Sequence, residues 1–290
     1  MLALGRVLTA MVTPFDADGA VDEEATIRLV HHLVEHGSDG IVVAGSTGEA
    51  ATLSDAEHLR LIELVADELR ASAATMIVGT GSNDTRHACE LTAAAVQAGV
   101  DAVLSVTPYY NKPNPRGLRR HYEEVSRAAA GTPVLLYNVP SRTALDVPNE
   151  LLRELGEIDG IVGVKQANND SLVPLEGLAV YAGNDDIFAR ALDLGCAGGI
   201  LVASHFVGDE MARMAAEPEQ RAAIDASLRE IYTAMGVTTN PIPVKAALNM
   251  LGLDVGGLRL PLVEADAAQA AAIRGALERH GLLAAASSPA

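Results

Sequence analysis

The stretch VLLYNVPSRTALDVPNELLRELGEIDGIVGVK, residues 134–165, reads as one complete strand–helix–strand unit. Val134–Tyr137 is apolar at successive positions instead of alternate ones, as in a strand covered on both faces. Asn138, Pro140 and Ser141 mark a turn after it. Pro148–Leu155 then shows the apolar spacing of an amphipathic helix, and Ile161–Lys165 is a second doubly covered strand.

The same alternation extends in both directions. Further strands are predicted at Val7–Val12, Gly40–Ala44, Met76–Gly79, Ala102–Val106, Ala179–Ala182 and Gly198–Ala203. Helices are predicted at Asp22–His36, Ser54–Leu69, Asn83–Ala98, Pro115–Ala130, Asn168–Glu176, Asn184–Leu194 and His205–Ala216. Ser54 and Glu57 have the spacing of a capping box, and Pro115 occupies a first-turn position. Eight strands alternating with eight helical segments argue for a closed (β/α)₈ TIM barrel. An open doubly wound sheet is the alternative, but no G-x-G-x-x-G fingerprint follows the first strand. Beyond about Glu217 strand signals stop. Ala222–Met235, Pro243–Leu251 and Ala265–His280 read as helices, so residues 1–221 are assigned to the barrel and 222–290 to a small all-helical C-terminal domain. The tail Ala284–Ala290 reads as frayed.

Composition removes several function classes. The net charge is −17, which disfavours nucleic acid and anionic membrane surfaces as partners. Mean hydropathy is +0.20, yet it derives from 50 alanines, and no run approaches the roughly 18–20 apolar residues of a membrane helix. MLALGRVLTAMVTPFD reads as a first strand, not a signal peptide. Cys89 and Cys196 both sit in apolar patterns, which excludes a disulfide scaffold and points to a reducing, cytoplasmic setting.

In such a barrel the loops after the strands build the site. Those loops present Ser46 and Thr47 in GSTGE, Tyr109 and Tyr110 in TPYYNKP, Tyr137 and Arg142 in YNVPSRT, Asp185 and Asp186 in AGNDD, and His205 after the last strand. Lys165 ends the sixth strand. The chain holds only three lysines, Lys112, Lys165 and Lys245, against eighteen arginines. Lysine alone of the two can lose its proton, and burial favours that loss. A neutral amine attacks a ketone or aldehyde and forms a Schiff base; a strand-end lysine reaching solvent is the plain alternative. Lys112 lies in a polar loop, and Lys245 starts a helix after two prolines. Tyr137 is placed to exchange a proton with a carbinolamine; an interior tyrosine with a satisfied hydroxyl is the plain alternative. The loop hydroxyls relay protons, bind a carboxylate or cap turns; Arg142 suits a carboxylate or stands in solvent. Asp185 and Asp186 read as helix N-caps before Mg²⁺ ligands, and His32 with His36 as a solvated helix face.

GSTGEAATL (45–53), VTPYYNKP (106–113), LLYNVPSRT (135–143), GIVGVK (160–165) and NPIPVKAAL (240–248) together resemble the dihydrodipicolinate synthase and N-acetylneuraminate lyase superfamily of Schiff-base aldolases, over nearly the whole chain. YNVPSRT and NPIPVK resemble the synthase branch. The resemblance implies a barrel with a helical C-terminal domain in a homotetramer, a dimer of dimers. It implies condensation of pyruvate with L-aspartate 4-semialdehyde for lysine and diaminopimelate synthesis, with no metal or organic cofactor. It assigns Lys165 as the Schiff-base lysine, Tyr137 as proton donor and acceptor, and Ser46 with Tyr110 as relay, Tyr110 serving the neighbouring subunit. Thr47 and the Ile200 backbone match pyruvate contacts, and Arg142 the residue that meets the semialdehyde carboxylate.

The chain departs from that pattern at Ser46, where Thr is usual, at Gln166, where an acid is common, and at Leu201, where a small polar residue is frequent. None removes a reacting group, since Ser46 keeps the hydroxyl, but they leave room for another pyruvate-dependent aldolase, of the keto-deoxy sugar acid or sialic acid lyase type. A silent paralogue that only binds a small acid is the rival from a different class. The resemblance also implies an allosteric lysine site at His58, Asn83 and Tyr109, with His87 where a glutamate is expected, Ala50 in place of serine and Asp55 in place of histidine. Feedback inhibition by L-lysine is therefore expected to be lost or strongly weakened.

Overall fold

The computed structural model describes residues 4–284. Eight parallel strands close into a barrel in the order β1–β8: Val7–Ala10, Gly40–Val43, Thr75–Gly79, Ala102–Val106, Val134–Asn138, Ile161–Gln166, Ala179–Ala182 and Gly198–Leu201. The helices outside it are α1 (Glu23–Glu35), α2 (Asp55–Leu69), α3 (Thr85–Gln97), α4 (Pro115–Ala128), a short α5 (Pro140–Thr143), α6 (Asn149–Gly156), α7 (Phe188–Asp193) and α8 (Ser204–Ala216). Three more follow, α9 (Arg221–Met235), α10 (Ile242–Met250) and α11 (Ala267–His280). The capping box on α2 forms as its sequence predicts. Of the tail read as frayed, residues 285–290 lie outside the described residues.

Two predicted helices differ. Asn168–Glu176 contains only a three-residue 3₁₀ turn, Asn169–Ser171. Pro174 lacks the N–H a helix would use, and Leu175 instead bridges Leu178 in extended form. Asn184–Leu194 is split into a 3₁₀ turn, Asp185–Ile187, and α7. Asp185 does not cap its own helix, as the sequence suggested. Its Oδ1 accepts the backbone N–H groups of Val202 (2.8 Å) and Ala203 (3.2 Å) at the end of β8.

The barrel interior is filled by Leu8, Val42, Ile77, Leu104, Leu135, Tyr181 and Ile200, while a larger core lies between strands and helices. Strand alternation decides which side chains enter which layer. In β6 that alternation is broken. Val134 pairs with Ile161 but Leu135 with Gly163, so β6 carries one extra residue. Val162 packs on the interior, whereas Ile161 and Val164 belong to the outer core. Unbroken alternation from Val162 would turn Val164 inward and Lys165 outward; the shift turns Lys165 inward. Glycine is required at the shift, since a Cβ on Gly163 would stand 2.5 Å from the Ala179 carbonyl oxygen and 2.8 Å from Leu135 Cδ2. Lys165 is thereby aligned with Tyr137 on β5 and Tyr181 on β7.

Candidate active site

A cavity of about 540 Å³ opens at the C-terminal end of the strands. Ser46, Thr47, Tyr137, Arg142, Lys165 and Asp185 line it from the barrel, and Arg229, Tyr232 and Asn240 from the helical region. A larger groove of about 920 Å³ lies by the N-terminal ends of β3 and β4, between α2 and α3. It lacks a lysine or tyrosine in its walls, and the smaller cavity is the one at the end of the barrel where such folds carry their sites.

Lys165 is 5% exposed, with Nζ 4.6 Å from the centre of the Tyr137 ring. Burial pushes its ammonium pKa down to about 8, aided by Arg142 and opposed by the Asp185 carboxylate. At pH 7.5 about a quarter of the amine is then neutral, against about one part in a thousand at the ordinary value. Neither other lysine competes. Lys112 stands exposed in a loop. Lys245, left by the sequence at the start of a helix, is instead 1% exposed, ion-paired with Glu49 at 2.7 Å and donating to the Gly257 carbonyl at 2.6 Å.

Tyr137 is also buried, and burial raises its phenol pKa, while the neighbouring Arg142 guanidinium and Ser46 hydroxyl oppose the rise. The phenol is therefore protonated and ready to donate. Thr47 is buried, and its Oγ1 accepts from Asn240 Nδ2 at 2.9 Å. The Asn240 carbonyl accepts from Arg142 Nη2 at 2.9 Å. One asparagine from the NPIP segment thus ties the two anion-binding candidates together. Behind β5 and β6, Gln166 Oε1 accepts from Asn138 Nδ2 at 3.0 Å and from the Asn168 N–H at 3.0 Å.

Asp185 lines the cavity, although sequence reasoning passed it over as a cap. Burial pushes its carboxyl up to about 6, against the Val202 and Ala203 amides and the Lys165 charge. Its place in the loop after β7 was the available signal. Tyr232, Arg229 and Asn240 were missed as cavity walls because their segment gave only helical periodicity and turn signals. His205 is fully buried and acts as a clip: Nε2 accepts from the Val12 N–H (3.1 Å) and Nδ1 donates to the Val202 carbonyl (2.7 Å), closing the barrel between β1 and β8.

Three groups of predicted residues stand elsewhere. Ile200 is buried in β8 with its side chain in the barrel core, and Val202 is the residue of that segment that lines the cavity. Tyr110 is 89% exposed, away from the cavity of its own chain, and holds φ +71°, a strained value for a bulky residue. His58, Asn83, His87 and Tyr109 lie around the β3–α3 loop. His87 Nε2 meets Asp55 Oδ1 at 3.0 Å, and Asn83 accepts from Asn111 at 2.8 Å through its carbonyl. Burial lowers the pKa of His58, whose Nε2 has no partner among the described residues.

Among the described residues no group of three His, Cys, Asp or Glu converges as a metal site, and no helix is long and apolar enough to cross a membrane. The sequence matches the model of the dihydrodipicolinate synthetase family over residues 3–280. It is 42% identical to the 4-hydroxy-tetrahydrodipicolinate synthase of Cyanothece sp., over 98% of this chain and 100% of that protein. It is 43% identical to the same enzyme of Symbiobacterium thermophilum, again over 98% and 100%. A crystal structure of dihydrodipicolinate synthase from Cyanidioschyzon merolae with lysine bound superposes with a TM-score of 0.93 at 38% identity, covering 97% of this chain and 99% of that one. The chloride-inhibited enzyme from Acinetobacter baumannii complexed with pyruvate gives 0.93 at 37%, covering 97% and 100%.

Proposed function

The chain belongs to the dihydrodipicolinate synthetase family, and from that premise we propose that it is a lyase joining pyruvate to L-aspartate 4-semialdehyde through a Schiff base on Lys165. The observation that carries the assignment is that Lys165, of three lysines, is the one facing the cavity, inward beside the Tyr137 phenol. Neutral Nζ attacks C2 of pyruvate, and Tyr137 donates the proton with which the carbinolamine oxygen leaves as water. The imine withdraws electrons from C3, so loss of a C3 proton gives an enamine. Its C3 bonds to the aldehyde carbon, and the aldehyde oxygen takes a proton. The amino group of the new chain then attacks C2, and Nζ departs with the electron pair of the C–N bond. Ring closure regenerates Lys165 and gives 4-hydroxy-tetrahydrodipicolinate.

Thr47, oriented by Asn240, holds the pyruvate carboxylate with the backbone near Ile200. Arg142 holds the semialdehyde carboxylate. Ser46 lies beside Tyr137 and passes its proton outward. Tyr110 completes the relay in a second copy of the chain; its exposure and strained backbone support that pairing of two copies, two such pairs making up the homotetramer of the proposal. The barrel and the helical part that begins with α9 share the cavity. Cys89 and Cys196 are unpaired, which supports a reducing, cytoplasmic setting. The test is pyruvate with borohydride followed by mapping of the adduct. Attachment at Lys165 is expected, and attachment at Lys112 or Lys245 refutes the assignment. A substrate panel completes it: semialdehyde consumption with pyruvate, against pyruvate release from sugar acids.

A further inference from the structure

Asp225, Arg229 and Tyr232 occupy positions i, i+4 and i+7 of α9, one face of the helix. Arg229 is ion-paired with Asp225, donates to the Asp186 carbonyl at 3.2 Å, and lies 6.0 Å from the centre of the Tyr232 ring. These contacts hold α9 over the Asp185–Ile187 turn. Tyr232 lines the cavity and is 8% exposed, yet its buried hydroxyl has no hydrogen-bond partner among the described residues. Buried tyrosine hydroxyls are ordinarily partnered, and leaving one unpaired is destabilising. Burial and the facing carboxylates of Asp185, Asp225 and Asp186 keep this phenol protonated, so it has a hydrogen to donate.

Lys165, Tyr137 and Thr47 take the pyruvate, so the wall from α9 borders the space left for the second substrate. That substrate offers two kinds of acceptor, the aldehyde oxygen, which must approach the enamine, and the carboxylate. Its ammonium group carries only donors and is drawn to Asp185 and Asp186. We infer that Tyr232 is a specificity-determining residue of the acceptor subsite, its hydroxyl donating to the carboxylate of the acceptor aldehyde alongside Arg142. The inference rests on the proposed function and names the contact by which the helical region reads the second substrate.

Tyr232→Phe removes the oxygen and keeps the ring. For L-aspartate 4-semialdehyde, kcat/KM should fall about 10–150-fold, the worth of one hydrogen bond to a charged group. The KM for pyruvate and the rate of borohydride trapping on Lys165 should stay within about twofold. Propanal, an aldehyde without a carboxylate, should be used equally by both proteins. The melting temperature without substrate should not fall, because the variant loses an unpaired hydroxyl. A variant that uses the semialdehyde as well as the parent overturns the inference, as does equal damage to pyruvate and semialdehyde use. A parent protein that traps pyruvate but consumes no semialdehyde overturns the proposed function and this inference together.

Discussion

Replacing Lys165 with Met should abolish the chemistry and make the protein more stable. The ammonium is buried at the inner face of β6, and its pKa of about 8 lies about 2.5 below the ordinary value of 10.5. Each unit is worth 1.36 kcal/mol, so holding this charge out of water costs the fold about 3 kcal/mol at neutral pH. Met fills nearly the same volume without charge. Part of the gain is offset, because Asp185 loses a cation that favours its ionised form. A net gain of about 2 kcal/mol is expected, and about 4–8 °C in melting temperature. The sign of the pH dependence follows. A base whose folded pKa is lowered binds fewer protons in the native state between the two values, so the cost is fully present below pH 8 and disappears as pH rises from 8 to 10.5. The stability advantage of Lys165→Met should therefore be largest at pH 7 and shrink above pH 8. Thermal melts of both proteins at pH 7, 8, 9 and 10, beside pyruvate trapping by borohydride, test this. A variant less stable than its parent at every pH would refute the claim that Lys165 is held against its solvation preference.

Trapping of pyruvate by the parent protein at low pyruvate should accelerate about tenfold between pH 7 and pH 9 and then level, because the neutral fraction of an amine of pKa near 8 saturates there. A logarithmic rate that climbs one unit per pH unit through pH 9.5 would mean an unperturbed amine. Tyr137→Phe should lower kcat by about 10²–10⁴ with little change in either KM, and a loss under about fivefold in steady-state assays removes Tyr137 from the proton transfers. L-lysine below millimolar concentration should neither inhibit nor release heat on titration. His87 stands where a carboxylate is expected, and Asp55 is engaged by His87 at 3.0 Å; a matching inhibition curve and binding heat would show that Asp55 serves the ligand instead.

Periodicity made the barrel legible. Doubly covered strands and amphipathic helices are local patterns, and all eight strands lie within a few residues of their predicted places. Of the two misplaced helices, one is overridden by a distant contact and the other is broken by a proline within it. Asp185 spends its carboxylate on the Val202 and Ala203 amides just past β8, 17 and 18 residues away, so its helix starts late. The Asn168–Glu176 segment contains Pro174, and its residues settle as a turn and an extended bridge.

The active-site candidates were legible as residue types at strand ends: an unusual lysine, a tyrosine, two loop hydroxyls and an arginine. Their meeting was a tertiary matter. Lys165 faces the cavity because β6 slips by one residue against β5 at Gly163, and an apolar run such as IVGVK carries no alternation from which that slip is read. Lys245 is held away from the cavity by Glu49, 196 positions earlier, and Thr47 is oriented by Asn240, 193 positions later. Tyr232 enters the cavity because α9 folds back over the turn after β7. Sequence determines what each segment forms by itself, since hydrogen bonding and side-chain period act between neighbours. Which side chains share a desolvated space depends on register and on contacts between segments far apart in the chain, and only the closed barrel with its helical cover decides those.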